Sequence, residues 1–190
     1  MLIPTDLLKA ALLCASTEAT RYSLNGVHLS TSGHMVTTDG HRMFVARLND
    51  LPAADVIIPS ADVQAALKLA GARCQEIEVS ADKIGQIAYT AIDGTFPDWR
   101  RVVPTGEESP SDKPEDSAAH MHFNHAFIGD LAKMGKALDG ASMLHPTSAS
   151  NPCLVTFGKR ADCFAVLMPV RRNITPDPLH GANVKRRVVG

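Results

Sequence analysis

Apolar positions along the first hundred residues follow one order twice: a short apolar run, a stripe at helical spacing, then alternating strands. Leu8, Leu12 and Ala15, joined by Leu7 and Ala11, predict a helix over 5–15. Thr5 stands where it can cap that helix, and Asp6 sits in its first turn against the dipole. Residues 21–30 read as a strand through Tyr22, Leu24, Val27 and Leu29, interrupted at Asn25-Gly26 by a turn or bulge signal. In 36–47 two strand-like runs flank Asp39-Gly40, the dipeptide of a tight hairpin. The second run alternates, with Met43 and Val45 on one face and Arg42, Phe44 and Ala46 on the other.

The order then repeats. Residues 56–59 form a short apolar strand, Ser60 caps a helix, and Val63, Leu67 and Ala70 share one of its faces. Strands over 74–80 and 83–92 follow, then the turn pair Asp93-Gly94 and an extended segment over 96–104. The stretch 105–119 is acidic, rich in Pro and Ser, and reads as a linker. A third unit begins at 120. Met121 and Phe123 predict a short strand, and Asn124 caps a helix carrying Phe127, Leu131, Met134 and Leu138. Residues 141–151 read as a loop with at most a short strand, and 153–157 and 164–170 as paired strands. The tail, 173–190, is basic at Lys185-Arg186-Arg187.

Composition adds little that is specific. The 190 residues are 45% hydrophobic, 21% charged and 5% aromatic, with a formal charge of −1. That suits one sizeable soluble domain or one plus a fragment, and it does not announce a nucleic-acid binder. Cys14, Cys74, Cys153 and Cys163 are scattered without a Cys-x-x-Cys pair, which reads as reduced thiols in a cytoplasmic protein. There is no signal-type start and no apolar run of membrane-spanning length.

Four strings carry a family resemblance. They are Arg21-Tyr22-Ser23-Leu24-Asn25-Gly26, Thr38-Asp39-Gly40-His41-Arg42, the run 93–104 that includes Phe96-Pro97-Asp98-Trp99, and Val166-Leu167-Met168-Pro169-Val170-Arg171. In this order they resemble the bacterial DNA sliding clamp, the beta subunit of DNA polymerase III. The resemblance implies an α+β clamp fold, helices packed on antiparallel sheets, with about three half-domain units. Residues 1–104 are similar to the family's whole middle domain and 120–172 to the second half of its last domain. The family's first domain and the first half of its last domain have no counterpart.

The resemblance also implies a non-catalytic role without a cofactor: capture of polymerases and related replication or repair proteins through a short Leu/Phe-anchored peptide. The matching positions form two walls and a flank. Leu24, Thr38, Gly40, His41, Arg42 and Met43 make one wall; Val166, Met168, Pro169, Val170 and Arg171 the other; Pro97, Arg101 and Val102 the flank. Arg42, His41 and Arg171 would orient the peptide from a polar rim. Burying each anchor contributes roughly 1.5–3 kcal/mol before ordering costs, so two anchors imply affinity on the order of micromolar.

The family's helices also face double-stranded DNA without reading its sequence. The counterparts here are Lys9, Lys68, Arg73, Lys133 and Lys136, for which phosphate contact and an ordinary solvated helix face both stay open. Twelve half-domains close the family's ring, so four chains of three units would supply one, and a homo-oligomer is expected. Two other readings stand beside this one. One is a monomeric adaptor or decoy that keeps the groove and does not encircle DNA. The other is a small metal-dependent enzyme using His120, His122 and His125, whose spacing puts the first two on one face of a strand.

Overall fold

The computed structural model describes residues 1–105, 121–138, 140–158 and 160–170. The predicted unit occurs twice in full. The first comprises β1 (Leu2–Pro4), α1 (Thr5–Leu12), β2 (Gly26–Ser30), β3 (His34–Thr38) and β4 (Arg42–Arg47). The second comprises β5 (Val56–Pro59), α2 (Ser60–Ala70), β6 (Glu76–Glu78), β7 (Lys83–Ile84) and β8 (Ile87–Ala88). The third contains α3 (His125–Leu138), β9 (Ser142–His145), β10 (Cys153–Phe157) and β11 (Arg160–Leu167). The run 121–123, expected as a strand, has no strand partner among the described residues, although the Val170 N–H donates to the His122 carbonyl at 2.6 Å. The linker after Thr105, His120, Arg171 and the basic tail lie outside the described residues.

The first two units interlock reciprocally. The first strand of each pairs antiparallel with the second strand of the other: β1 with β6, and β5 with β2. Gly26 marks the tightest approach. A Cβ there would lie 2.5 Å from Ile57 Cγ2 and 2.7 Å from the Ile58 carbonyl, so the Asn25-Gly26 signal reflects close strand packing. The third unit joins by β11, which pairs antiparallel with β4 and completes a seven-stranded sheet ordered β5-β2-β3-β4-β11-β10-β9.

The helices lie together, with α1 touching both α2 and α3. Against them the sheet buries its main core, which includes Leu7, Leu8, Phe44, Met134 and Phe157. The Thr37 hydroxyl, fully buried, donates to the Ala11 carbonyl at 2.8 Å and ties the end of α1 to the sheet. Val36, Met43, Val45, Trp99 and Val166 form a separate, smaller cluster. The alternation along β4 therefore feeds two cores, with Phe44 and Ala46 in the larger and Met43 and Val45 in the smaller.

Several local expectations are corrected. The first helix stops at Leu12 and not at Ala15. Residues 19–24 form a 3-10 turn and not a strand, closed by Asn25 N–H to the Tyr22 carbonyl (3.0 Å) and by the Asn25 side-chain amide to the Glu18 carbonyl (3.0 Å). Pro4 and Pro59, with φ of −56° and −53°, occupy the N-cap positions expected for Thr5 and Ser60. Each strand thus runs straight into its helix. The Thr5 hydroxyl donates instead to the Cys74 carbonyl at 2.8 Å, linking the two units. Asn124 does cap α3, accepting from the Ala126 N–H at 2.9 Å.

Candidate binding groove

The hairpin tip is a four-residue loop, because Thr38 pairs directly with Met43. Its shape comes from one carboxylate and one hydroxyl. Asp39 Oδ1 accepts from the backbone N–H of His41 (2.8 Å) and of Arg42 (3.0 Å). Thr38 Oγ1 donates to the Arg42 carbonyl at 2.7 Å and accepts from Gly40 N–H at 3.0 Å. Gly40 has φ of +89°, and a Cβ there would meet Arg21 Nη1 at 2.6 Å. The positive φ is what favours glycine here, since the Arg21 guanidinium ends a flexible side chain that can move aside.

The second wall is the neighbouring strand. In the β4–β11 register Met43 stands opposite Val166 and Arg42 opposite Leu167. The Met168 N–H then donates to the His41 carbonyl at 2.8 Å, joining the walls at the mouth. Between them lies a groove of about 200 Å³ lined by Leu24, Thr38, Gly40, His41, Arg42, Met43, Pro97, Asp98, Trp99, Val102, Val166 and Met168. Met43 and Val166 are buried, whereas Val102 is 44% exposed. Arg101 is exposed in the 3-10 turn Trp99–Val102, and Pro169 and Val170 follow β11 without lining the groove.

Two imidazole–aromatic contacts hold the flank. His28 stacks on Phe96 at 4.5 Å and 11°, and His34 tilts against Trp99 at 5.3 Å. Arg100 covers the Trp99 ring, with Cζ 4.6 Å from its centroid, and its Nη2 donates to Ser32 Oγ at 2.8 Å. Burial holds the His28 pKa below its ordinary value, with Asp55 opposing and Arg100 reinforcing the shift. Burial and Arg100 lower His34, with Arg47 reinforcing and a bond to Ser32 opposing. The folded pKa of each lies under the unfolded value of about 6.5, so the unfolded chain binds more protons just below that pH. Their contribution is complete above about pH 6.5 and is lost as pH falls through the folded values. Urea midpoints measured from pH 7.5 to 5.5 should fall with pH, and the double variant His28→Gln, His34→Gln should flatten that slope. An unchanged slope would contradict the assignment.

Arg42 does more than face the groove. Its Nε lies 2.9 Å from Asp39 Oδ2 and its Nη1 2.5 Å from Asp130 Oδ2, and its Cζ sits 4.5 Å from the Phe127 ring centroid. His41 stacks beside the same ring at 6.1 Å. Burial raises the Asp130 carboxyl pKa, but bonds from Lys133 and Arg42 outweigh it and hold the group below the usual carboxylate range. The guanidinium is thus a latch between the hairpin tip and α3.

Sequence reasoning did not single out Trp99 or Asp98 as groove residues. The only tryptophan of the chain, inside a segment already assigned to the flank, was the available signal. Lys9, Lys68, Lys133 and Lys136 are exposed on the three helices and Arg73 just beyond α2. Lys133 bonds Asp130 at 2.6 Å. Among the described residues no group of three or more His, Cys, Asp or Glu is placed to hold a metal, and His120 lies outside them. All four cysteines are free; burial pushes the Cys163 thiol up to about 12 and raises those of Cys14 and Cys153. No helix among the described residues is long and apolar enough to cross a membrane.

No protein-family model matches the chain. Over 111 residues it is 35% identical to the beta sliding clamp of Caulobacter vibrioides (strain NA1000 / CB15N), covering 47% of this chain and 29% of that one. Over 112 residues it is 31% identical to the beta sliding clamp of Escherichia coli (strain K12), covering 52% and 31%. The chain thus spans less than a third of the length of these curated relatives. In fold it is similar to a Caulobacter crescentus beta sliding clamp, with a TM-score of 0.68 at 20% identity over 90% of this chain and 65% of that one. A DnaN sliding clamp from Bartonella birtlesii, solved with griselimycin bound, gives 0.66 at 22% identity over 90% and 66%. In sequence over part of their length, and in fold, the chain is similar to the bacterial beta sliding clamps.

Proposed function

We propose that the chain is a non-catalytic clamp-like protein of DNA replication or repair. Its groove captures short Leu/Phe-anchored segments of polymerases and related partners. The observation that carries this reading is the pairing of Met43 with Val166 on adjacent strands, which sets apolar side chains of two different units side by side in the lining of one hollow. Methionines suit such a hollow, since a flexible, polarisable side chain adapts to differing anchors. Residues 1–104 act as a whole clamp domain, and 120–172 as a half-domain that supplies the second wall. The exposed cations of the helices favour loose, salt-sensitive contact with the phosphates of double-stranded DNA as a second activity. A cytoplasmic setting goes with this role.

Fluorescence anisotropy of a labelled Leu/Phe-anchored peptide tests the reading. The wild-type chain should bind in the micromolar range. Met168 is half-buried at the groove, so Met168→Asp should leave the fold intact and place a charge against the anchors. Binding should weaken at least a hundredfold, about 2.8 kcal/mol. No binding by the wild type, or equal binding by both, would sink the proposal.

A further inference from the structure

The third unit repeats the first two but has no companion unit among the described residues. In the complete pair, the strand after each helix hydrogen-bonds to the strand before the other helix. β9 follows α3 as β6 follows α2 and β2 follows α1. Yet β9 ends the seven-stranded sheet, and no other described strand pairs with its outer side. The strand-before-helix position has its counterpart too. Ile57, three residues ahead of α2, accepts from Ile92 N–H at 2.9 Å, and His122, three residues ahead of α3, accepts from Val170 N–H at 2.6 Å. The run 121–123 therefore occupies the place of β5, held on one side as β5 is, with no described strand on the side where β5 meets β2.

Apolar side chains are exposed around these two open edges. Met143 is 62% exposed, Leu144 37% and Ile128 39%. The β9 edge carries no lysine, proline or bulge of the kind that normally protects an open strand. On α3, Asp130 reaches the hairpin tip and Ala137 lines a hollow with Asp6 and Lys9 of α1. Helical spacing puts Ile128 and Ala132 on the opposite flank, where a companion helix would lie.

We propose that two copies of the chain pair through their third units, each serving as the other's companion half-domain. The reciprocal scheme seen between units one and two needs nothing but a second third unit: β9 of one copy against 121–123 of the other, twice, about a two-fold axis. Such an interface is self-complementary, as a two-fold contact requires. Leu144 lies opposite Val155, whose side chain is in the main core, so it points toward the helix layer. There it meets Phe123 of the second copy, which takes the place that Ile58 holds beside Val27. The two α3 flanks meet along Ile128 and Ala132. The groove, built within one chain, takes no part, so this pairing stands or falls apart from its ligand.

Sedimentation velocity on the full chain across a hundredfold concentration range should show a reversible dimer. Leu144→Lys and Ile128→Lys, on separate elements, should each raise the dimer dissociation constant at least tenfold with an unchanged far-UV circular dichroism spectrum. In a Cys74→Ser background, Ala132→Cys should be joined into a covalent dimer by a short bismaleimide, whereas Gln64→Cys on α2 should not. A monomer at every concentration would overturn the proposal. A dimer indifferent to both lysine variants and not cross-linked at position 132 would overturn it equally, by assigning the contact to another face.

Discussion

Phe44→Ala should lower the stability of the folded chain by about 3–5 kcal/mol, read as a drop in the urea midpoint without a change in slope. Phe44 is fully buried on β4, between Thr37 of β3 and Ala165 of β11. Its ring tilts against that of Phe157 on β10, centroids 6.2 Å apart at 55°. The two rings come from different units, and the neighbours on both adjoining strands, Thr37 and Ala165, are too small to fill the space. The loss combines the transfer free energy of the ring, the cavity left behind and the aromatic contact itself. Phe44→Leu should recover more than half of the loss. A deficit under about 1 kcal/mol for Phe44→Ala would mean that the joined sheet does not form in solution.

Arg42→Ala should cost about 3 kcal/mol, the lower end of what breaking a buried ion pair costs. Only 13% of the Arg42 side chain is exposed, and 16% and 18% of Asp39 and Asp130. Removing the guanidinium leaves Asp39 partly desolvated without its cation and Asp130 with Lys133 alone, and uncovers the face of Phe127. Arg42→Lys should recover little. A lysine ammonium is a point charge and cannot serve two carboxylates and a ring from one planar group. Asp130→Asn should cost less than Arg42→Ala, since Asp39 still pairs with the arginine. The Asp130 pair persists as pH falls until its lowered pKa is reached, because a depressed carboxyl contributes above its unfolded pKa and loses that contribution below it. If all three variants matched the wild type in urea, the latch would be a surface pair of no consequence.

What could be read in advance was local and periodic. The stripe Phe127, Leu131, Met134, Leu138 places α3 because its spacing is helical whatever lies beneath it. The split of β4 into two faces follows from alternation alone, and the structure sends each face to a different core. The errors occurred where local signals were shared by two conformations. Tyr22 and Leu24 alternate as in a strand, yet Tyr22 is 58% exposed and Leu24 buried because a 3-10 turn also separates them. Thr5 and Ser60 look like caps, but a proline at the end of each preceding strand takes that place. Asp39-Gly40 suggests a two-residue turn, and the carboxylate of Asp39 instead organises a loop of four. The second task of Arg42 could not be read at all, since Asp130 lies 88 positions away and only the β4–β11 pairing brings it near.

That pairing makes the groove a shared property of two separately encoded pieces. One wall belongs to the first unit and the other to the third, and their meeting point is the bond from Met168 to His41. A ligand that touches both walls binds only chains in which the third unit is docked, so occupancy and docking are thermodynamically linked and each favours the other equally. At free ligand a hundredfold above its dissociation constant, the docked state gains about 2.7 kcal/mol. The same linkage works in reverse: whatever loosens the third unit, whether a lost latch or an emptied core position, lowers ligand affinity without touching a single groove residue.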